Sequence, residues 1–257
     1  MNDIPIDISE EAGVRYLHFG SEWVQGAMRI RKPYALELAY TREMMAGLLL
    51  REALPLEAGQ WPKRALVIGL GAASVAKFLH HHCPHAGIDV VEIAPQVVAA
   101  ARQFFRLPPQ DARFAIHIGD GADWVRETDR RYDYVLVDGF DPKARAGALD
   151  TEPFYRALRE RLTESGVVAV NLFGRSRGYK ASLERIFRAY DDRALAFPSC
   201  DSGNVVAFAA VGEAIALPVA ELRARAAALK AATALDLRPT VTRLEQAGSL
   251  PGGVLHL

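Results

Sequence analysis

The chain has 257 residues, 50% of them hydrophobic, which suffices for one large α/β domain with an appendage. Its 31 basic and 31 acidic side chains cancel, and this balance argues against a dedicated nucleic-acid-binding protein. No stretch is continuously apolar over the length of a membrane span, and residues 1–11 are too acidic and too weakly apolar for a signal peptide. We therefore expect a cytoplasmic protein with no membrane or nucleic-acid partner.

The N-terminal part of the chain alternates apolar and polar residues in the way that is typical of short strands. Residues 14–19 and 23–30 predict a β-hairpin, and residues 35–38 predict a third short strand. Because so small a sheet is unstable alone, we expect it to pack on the main domain or on a partner subunit. A helical spacing of apolar residues follows over residues 40–54.

A strand, a glycine loop, a helix and a second strand are predicted over residues 65–93. Gly69 and Gly71 lack a Cβ, so the backbone can turn tightly after the first strand and come close to a ligand. Glu92 ends the second strand, 21 residues after Gly71, where its carboxylate can accept hydrogen bonds from both hydroxyls of a ribose. Ser74 stands where a dinucleotide site has its third glycine, which favours a nucleoside over NAD. Plain packing of a strand–helix–strand unit stays open as the alternative.

Strands and helices keep alternating along the middle of the chain, which predicts a doubly wound, mostly parallel α/β sheet. The predicted strands are 114–118, 134–137 and 167–172, the predicted helices are 97–105, 152–162 and 180–190, and residues 194–197 and 204–210 form a closing antiparallel pair. A helix over residues 218–233 and a short helix opened by Pro239 end the chain. We expect three parts: an N-terminal β-hairpin domain (1–40), a Rossmann-like nucleoside-binding catalytic domain (41–212) and a C-terminal helical tail (213–257).

Neither the cysteines nor the histidines form a pattern that favours a metal site. Cys83 and Cys200 lie far apart in the sequence and are expected to be ordinary reduced thiols. The run of residues 80–82, all histidine, together with His85, fits a solvated helix end better than a zinc site, because consecutive helix positions point in different directions. We expect no bound metal.

Acidic residues follow consecutive predicted strands at their carboxyl ends. These residues are Glu92, Asp120, and Asp138 with Asp141. In an open parallel sheet the ligand lies over this edge, and a cationic or hydroxyl-rich ligand would relieve the repulsion between the carboxylates. Asp120 taken alone is as well explained as a cap of the next helix.

These features make the chain similar to the spermidine synthase family, the polyamine aminopropyltransferases, whose fold is shared with S-adenosylmethionine-dependent methyltransferases. The similarity extends from about residue 17 to residue 210. Its parts are Gln25, the Tyr40 segment, the glycine loop, residues 91–93, 119–121 and 132–142, Phe154 and Tyr155, and residues 203–205. The most specific part is the Asp-x-x-Asp-Pro sequence from Asp138 to Pro142.

The resemblance implies a Rossmann-like domain of the methyltransferase type behind a small N-terminal β domain, and a homodimer. It implies no permanently bound cofactor; decarboxylated or intact S-adenosylmethionine is the co-substrate, and a small amine is the acceptor. In this family's pattern Glu92 holds the ribose hydroxyls, Asp120 the adenine amino group, and Gln25 reaches toward the nucleoside. Gly69, Gly71, Ile93 and Gly121 complete the donor site. Asp138 is the base, Asp141 orients the amine, and Tyr40 lines the amine channel.

This assignment is consistent with the chemistry of the reaction. An amine is protonated at neutral pH and has no lone pair for attack, so a carboxylate must first remove a proton. The sulfonium is already a good leaving group, and positioning supplies most of the acceleration without a metal.

The sequence departs from the family pattern at several positions. Ala72 stands where the family has a loop aspartate that grips the amino end of the decarboxylated donor, Thr41 replaces a histidine or glutamine, and Gly139-Phe140 replace small hydroxyl residues. Three hypotheses follow. The first is an aminopropyltransferase with an altered donor grip or acceptor; the second is an S-adenosylmethionine-dependent methyltransferase; the third is a nucleoside-binding protein without turnover.

Overall fold

The structure is a computed structural model that describes residues 4–52, 54–56, 59, 61–141, 145–174, 176–200 and 203–257. Pro142, which ends the Asp-x-x-Asp-Pro sequence, lies outside the described residues. Among these residues the strands form three sheets, of three, seven and two strands.

The N-terminal sheet is antiparallel and has three strands: β1 (Asp7–Glu11), β2 (Val14–His18) and β3 (Val24–Arg29). The predicted hairpin corresponds to β2 and β3. The third strand predicted over residues 35–38 is wrong: those residues form bends and irregular backbone, and β1, which precedes the hairpin, pairs with β2 instead. The acidic β1 is mostly exposed, so its sequence lacks the apolar alternation that marks a strand.

The central sheet has seven strands. They are β4 (Arg64–Ile68), β5 (Gly87–Glu92), β6 (Phe114–Ile118), β7 (Tyr132–Val137), β8 (Leu162–Phe173), β9 (Ala194–Ala196) and β10 (Asn204–Ala210). Their order is β6-β5-β4-β7-β8-β10-β9; the first five are parallel, and β10 runs antiparallel to both its neighbours. A small third sheet pairs β11 (Ala216–Pro218) with β12 (Val254–His256).

Helices cover both faces of the central sheet. They are α1 (Ala39–Met44), α2 (Gly47–Leu50), α3 (Ser74–His82), α4 (Pro95–Phe104), α5 (Gly121–Glu127), α6 (Glu152–Glu160), α7 (Tyr179–Ala189), α8 (Val219–Thr233) and α9 (Arg238–Gln246). Strand β4 shows why two layers form: Ala65 and Val67 join one hydrophobic cluster, while Leu66 and Ile68 join the other. The first cluster includes α3, α4 and the tail, and the second includes α5, α6 and α7.

The predicted fold class is confirmed, because the chain is a doubly wound, mostly parallel α/β sheet preceded by a small β-sheet. Some local features differ from the predictions. The helix predicted over residues 40–54 is divided into α1 and α2, and α5 was not predicted.

Candidate active site

A cavity of about 1000 Å³ opens at the carboxyl ends of the parallel strands, beside the N-terminal sheet. All ten residues that the sequence predicted for the site line this cavity: Gln25, Tyr40, Gly69, Gly71, Glu92, Ile93, Asp120, Gly121, Asp138 and Asp141. The topology explains eight of them, because β4, β5, β6 and β7, which lead into them, are neighbours in the sheet and end at one edge. Gln25 comes from β3 of the N-terminal sheet and Tyr40 from α1.

The glycine loop after β4 brings the backbone against the end of β7. Gly69 has a φ of +91°, and a Cβ added to it would lie 2.2 Å from the carbonyl oxygen of Asp138. A side chain at this position would therefore push the two strand ends apart. Gly69 therefore allows the glycine loop to lie close to Asp138.

Glu92 is buried at the tip of β5 and is held by the backbone. Its Oε2 accepts a 2.9 Å hydrogen bond from the N–H of Leu70, and its Oε1 accepts a 2.8 Å bond from the N–H of Ala94. Burial raises the pKa of this carboxyl, while the backbone hydrogen bonds act in the opposite direction. Each carboxylate oxygen can accept more than one hydrogen bond, so the group can also take bonds from two hydroxyls of a ligand.

Asp120 is the N-cap of α5 as well as a residue of the cavity wall. Its Oδ1 accepts hydrogen bonds from the N–H groups of Ala122 at 2.7 Å and Asp123 at 3.3 Å. Oδ1 therefore has the helix-capping role that the sequence left open for Asp120. Capping does not exclude a ligand contact, since the carboxylate has a second oxygen and lines the cavity.

Ala72 faces the N-terminal sheet. It is 2% exposed, and a Cβ added to Gly26 of β3 would lie 2.6 Å from the Ala72 Cβ and 2.7 Å from its backbone nitrogen. Ser74 adds a hydrogen bond of 2.9 Å from its hydroxyl to the carbonyl oxygen of Ala27. The glycine loop and β3 are therefore in close contact at the position of the missing aspartate.

Asp138 follows β7 and has hydrogen bonds to both of its carboxylate oxygens. The Tyr40 hydroxyl of α1 donates to Oδ2 at 3.1 Å, and the Asn171 Nδ2 of β8 donates to Oδ1 at 2.8 Å. Burial raises the pKa of Asp138, and these two hydrogen bonds act against the shift because they favour the ionised form. Burial and the neighbouring Asp138 together raise the pKa of Tyr40 well above its ordinary value, which keeps its hydroxyl protonated.

Two asparagines beside Asp138 were given no role by the sequence reasoning. Asn204 of β10 donates from Nδ2 to Oδ1 of Asn171 at 3.0 Å, and Asn171 in turn contacts Asp138. Both asparagines line the cavity. The available signals were Asn171, a polar residue near the end of an otherwise apolar run in β8, and the place of Asn204 within residues 203–205, which the family resemblance includes.

Asp141 lies in the loop after β7 and is paired with a cation. Arg145 donates from Nε to Asp141 Oδ2 at 2.8 Å and from its backbone nitrogen to Oδ1 at 2.9 Å. Arg145 and Phe140 also line the cavity. Sequence reasoning did not predict a cation among the acidic residues of the site.

The described residues contain neither a metal-binding cluster nor a membrane-spanning helix. No group of three or more histidine, cysteine, aspartate or glutamate side chains there is arranged to hold a metal ion. No helix in that part of the chain is long and apolar enough to cross a membrane. Cys83 and Cys200 are buried free thiols, and burial raises the pKa of Cys83 to about 12.

Comparison with known proteins decides the family. Residues 40–172 match the spermine/spermidine synthase domain model, and the chain is 36% identical over 250 residues to a polyamine aminopropyltransferase from Chromobacterium violaceum. That match covers 97% of this chain and 93% of the relative. The chain belongs to the spermine/spermidine synthase family. It is therefore an enzyme of the transferase class. The names of its relatives support aminopropyl transfer over methyl transfer and over nucleoside binding without turnover.

Solved structures share the architecture of this spermine/spermidine synthase family member. Human methyltransferase-like protein 13, in complex with SAH, matches with a TM-score of 0.67 and 30% identity over 77% of this chain and 93% of that one. A probable spermidine synthase from Corynebacterium glutamicum matches with a TM-score of 0.70 and 18% identity, covering 88% and 83% of the two chains, and this likeness concerns the fold alone. The fold is thus common to both kinds of transferase.

Proposed function

We propose that this enzyme moves an aminopropyl group from decarboxylated S-adenosylmethionine to a small amine, with Asp138 as the base. The observation that carries the proposal is the placement of Asp138. It lies in the same cavity as the buried Glu92, with both of its oxygens held in position by Tyr40 and Asn171. A base of this kind is what an ammonium acceptor requires.

The donor occupies the side of the cavity built by β4, β5 and α5. Glu92 accepts hydrogen bonds from the ribose hydroxyls, and Asp120 accepts one from the adenine amino group. Ile93, which is 53% exposed and lines the cavity, offers an apolar surface for the adenine. Gln25 comes from β3, on the other side of the glycine loop, and contacts the nucleoside from there.

The acceptor enters on the side of Tyr40 and Asp141. Asp138 takes one proton from the acceptor ammonium, and the freed lone pair attacks the carbon next to sulfur. The carbon–sulfur bond breaks with its electrons going to sulfur, which loses its positive charge. Asp141 orients the acceptor; because Arg145 already pairs with it, the incoming ammonium competes with that cation.

A second function, methyl transfer from intact S-adenosylmethionine, is favoured by one observation. Ala72 provides no carboxylate at the position where the family's aspartate would grip the amino end of the decarboxylated donor and repel the carboxylate of the intact one. The 30% identity to human methyltransferase-like protein 13 points the same way. Aminopropyl transfer is preferred because the curated relatives that span nearly the whole chain are aminopropyltransferases.

The role of Asp138 is tested by the Asp138→Asn variant. We expect kcat to fall about 10²- to 10⁴-fold, because the amide cannot take the proton. The Kd for the donor, measured by titration calorimetry, should stay within about threefold of the wild-type value, since Asp138 is assigned to the acceptor.

The matched control is Asp133→Asn, at the other end of β7, where the carboxylate accepts backbone hydrogen bonds from Lys63 and Arg64. This variant removes an aspartate of the same strand without touching the cavity, so its kcat should change little in the fraction that folds. Wild-type turnover by Asp138→Asn would show that the proposed base is wrong.

A further inference from the structure

We propose that Asn171 and Asn204 act as positioning residues that direct the transferred proton onto Oδ2 of Asp138, an inference that rests on the proposed function. The two asparagines form a chain of amide hydrogen bonds that ends on the opposite oxygen, Oδ1. Neither asparagine was singled out as part of the catalytic machinery by the sequence motifs, and neither needs to contact the reacting atoms.

The geometry of the chain is set by neighbouring strands. Asn171 is buried near the end of β8, and Asn204 begins β10, which pairs antiparallel with β8 in the register Asn204 to Phe173. Asn204 Nδ2 lies 3.0 Å from Asn171 Oδ1, and Asn171 Nδ2 lies 2.8 Å from Asp138 Oδ1. Three strand ends thus hold one continuous line of donors pointing at Asp138.

The chain has a direction, because an amide has distinct donor and acceptor ends. If the Asn171 amide turned over, its oxygen would face the Asp138 carboxylate and its nitrogen would face the Asn204 nitrogen. Both contacts would be lost. The donor from Asn204 therefore keeps the Asn171 N–H directed at Asp138 Oδ1, and this oxygen must remain an acceptor.

The other carboxylate oxygen has a partner that can change its role. Tyr40 donates to Asp138 Oδ2, but a hydroxyl can also accept a hydrogen bond after a simple rotation, which an Asn N–H cannot do. A proton on Oδ1 would meet the fixed N–H of Asn171. A proton on Oδ2 would find the Tyr40 oxygen as an acceptor, so Oδ2 is the site that receives it.

The proton balance of the step is simple. The acceptor ammonium gives one proton to Oδ2, which leaves a neutral amine and a neutral Asp138 carboxyl. The Tyr40 hydroxyl turns from donor to acceptor in the same step, and Asn171 keeps its bond to Oδ1. After the carbon–sulfur bond has broken and the products leave, the proton passes from Oδ2 to solvent and the ionised form returns.

Other titratable groups face this pair from the elements around it. Tyr40 of α1 donates a hydrogen bond to Asp138, the charge of Asp138 raises the pKa of Glu92 of β5, and Cys200, from the segment before β10, raises the pKa of Tyr40. The ion pair of Asp141 and Arg145 lies in the same cavity. Because all of these are unchanged in variants of the two asparagines, a difference between variants reports the amide chain.

The test is the pH profile of kcat/KM for the wild type, Asn171→Leu, Asn204→Leu and the double variant, with one donor and one acceptor throughout. Loss of a hydrogen bond to a carboxylate should move the ascending limb to higher pH by about one unit in Asn171→Leu, which is about tenfold in kcat/KM below the limb. Asn204→Leu should move it in the same direction by less. The double variant should match Asn171→Leu, because Asn204 acts only through Asn171.

The matched control is Thr163→Val in the same strand. Thr163 donates from Oγ1 to Asp133 Oδ1 at 2.7 Å, at the opposite ends of β8 and β7. This variant also loses a hydrogen bond between β8 and an aspartate of β7, so it reproduces the structural cost without touching Asp138. Its ascending limb should stay at the wild-type pH.

The outcomes separate the two proposals. An unshifted limb in Asn171→Leu, or a double variant that shifts by the sum of the single variants, would overturn the amide chain while leaving Asp138 as the base. Full activity of Asp138→Asn would overturn the proposed function itself. Asn204 is only half-buried, so we expect Asn204→Leu to fold even if Asn171→Leu does not. In that case Asn204→Leu tests the inference alone. The ascending limb of its pH profile must then move to higher pH for the inference to stand.

Discussion

Ala72 shows how one residue links the sequence to the choice of donor. Its side chain is buried against Gly26 of β3, and the contact is so close that even a Cβ on Gly26 would overlap it. The position that carries an aspartate in the family pattern therefore serves here to pack the N-terminal sheet onto the glycine loop. Under the proposed function the donor is recognised by other groups that line the cavity, with Glu92 and Gln25 as the candidates.

Restoring the aspartate should accordingly cost stability. In Ala72→Asp a carboxylate would be buried against backbone without a partner, and we expect the free energy of unfolding to fall by about 1–3 kcal/mol. Urea unfolding measures this change, and Ala224→Asp on the exposed side of α8 is the control, expected to stay within about 0.5 kcal/mol. Unchanged stability together with a stronger preference for the decarboxylated donor would show that residue 72 faces the donor.

For single residues, the sequence identifies site residues at strand ends better than site residues whose contacts come from distant parts of the chain. Glu92, Asp120 and Asp138 each end a recognisable apolar run, and parallel strands bring such ends to one edge. Asn204 and Arg145 have no such signal. Their contacts with Asn171 and Asp141 depend on strand pairing and on loop geometry that the sequence does not state.

Among the elements, helix α3 contains a buried lysine that makes the stability of the fold depend on pH. Lys77 is fully buried, and its Nζ donates a 2.7 Å hydrogen bond to the carbonyl oxygen of Phe105, just after α4. Burial, and secondarily Arg106, lower the pKa of this lysine from 10.5 to about 7. The amine is therefore a cation in the unfolded chain and largely neutral in the folded one at alkaline pH.

The consequence is a pH-dependent stability that Lys77→Met removes. Between about pH 7 and pH 10.5 the unfolded state binds more protons than the folded state, so stability rises with pH and is lost as pH falls toward 7. One proton contributes at most about 1.4 kcal/mol per pH unit. The free energy of unfolding is measured with urea at about pH 7.5 and about pH 9.5. Between these two pH values it should rise more for the wild type than for Lys77→Met.

Lys180→Met, at an exposed position of α7, is the control and should run parallel to the wild type over the same pH range. Parallel curves for the wild type and Lys77→Met would contradict the assignment of this pH dependence to Lys77.

Elements with a clear apolar pattern were predicted with nearly the observed bounds, as β6 and α7 show, while two others were not. The run over residues 40–54 has helical spacing, but at Met45 and Ala46 the hydrogen bonds close tight turns and α1 ends before α2 begins. Helix α5 begins in glycine and has only seven residues, so it gave little periodicity, and its real signal was Asp120 as N-cap.

On the scale of the whole molecule, segments from both ends of the chain help to build the cavity. The N-terminal sheet supplies Gln25 and contacts the glycine loop. The tail holds the segment that carries Tyr40: Arg243 of α9 forms an ion pair with the buried Glu43 of α1, and Arg225 of α8 donates to the carbonyl oxygen of Leu49 at 2.9 Å. These contacts join residues far apart in sequence, so patterning alone could predict the fold class but not the walls of the site.

The measurement that tests the central claim most directly is identification of the product. The wild-type enzyme is incubated with equal amounts of decarboxylated and intact S-adenosylmethionine and a panel of small diamines and polyamines, and the amines are analysed by mass spectrometry. We expect an amine enlarged by one aminopropyl group, formed by the wild type and by Asp133→Asn, and formed about 10²- to 10⁴-fold more slowly by Asp138→Asn. A methylated amine, or no product from either donor, would contradict it.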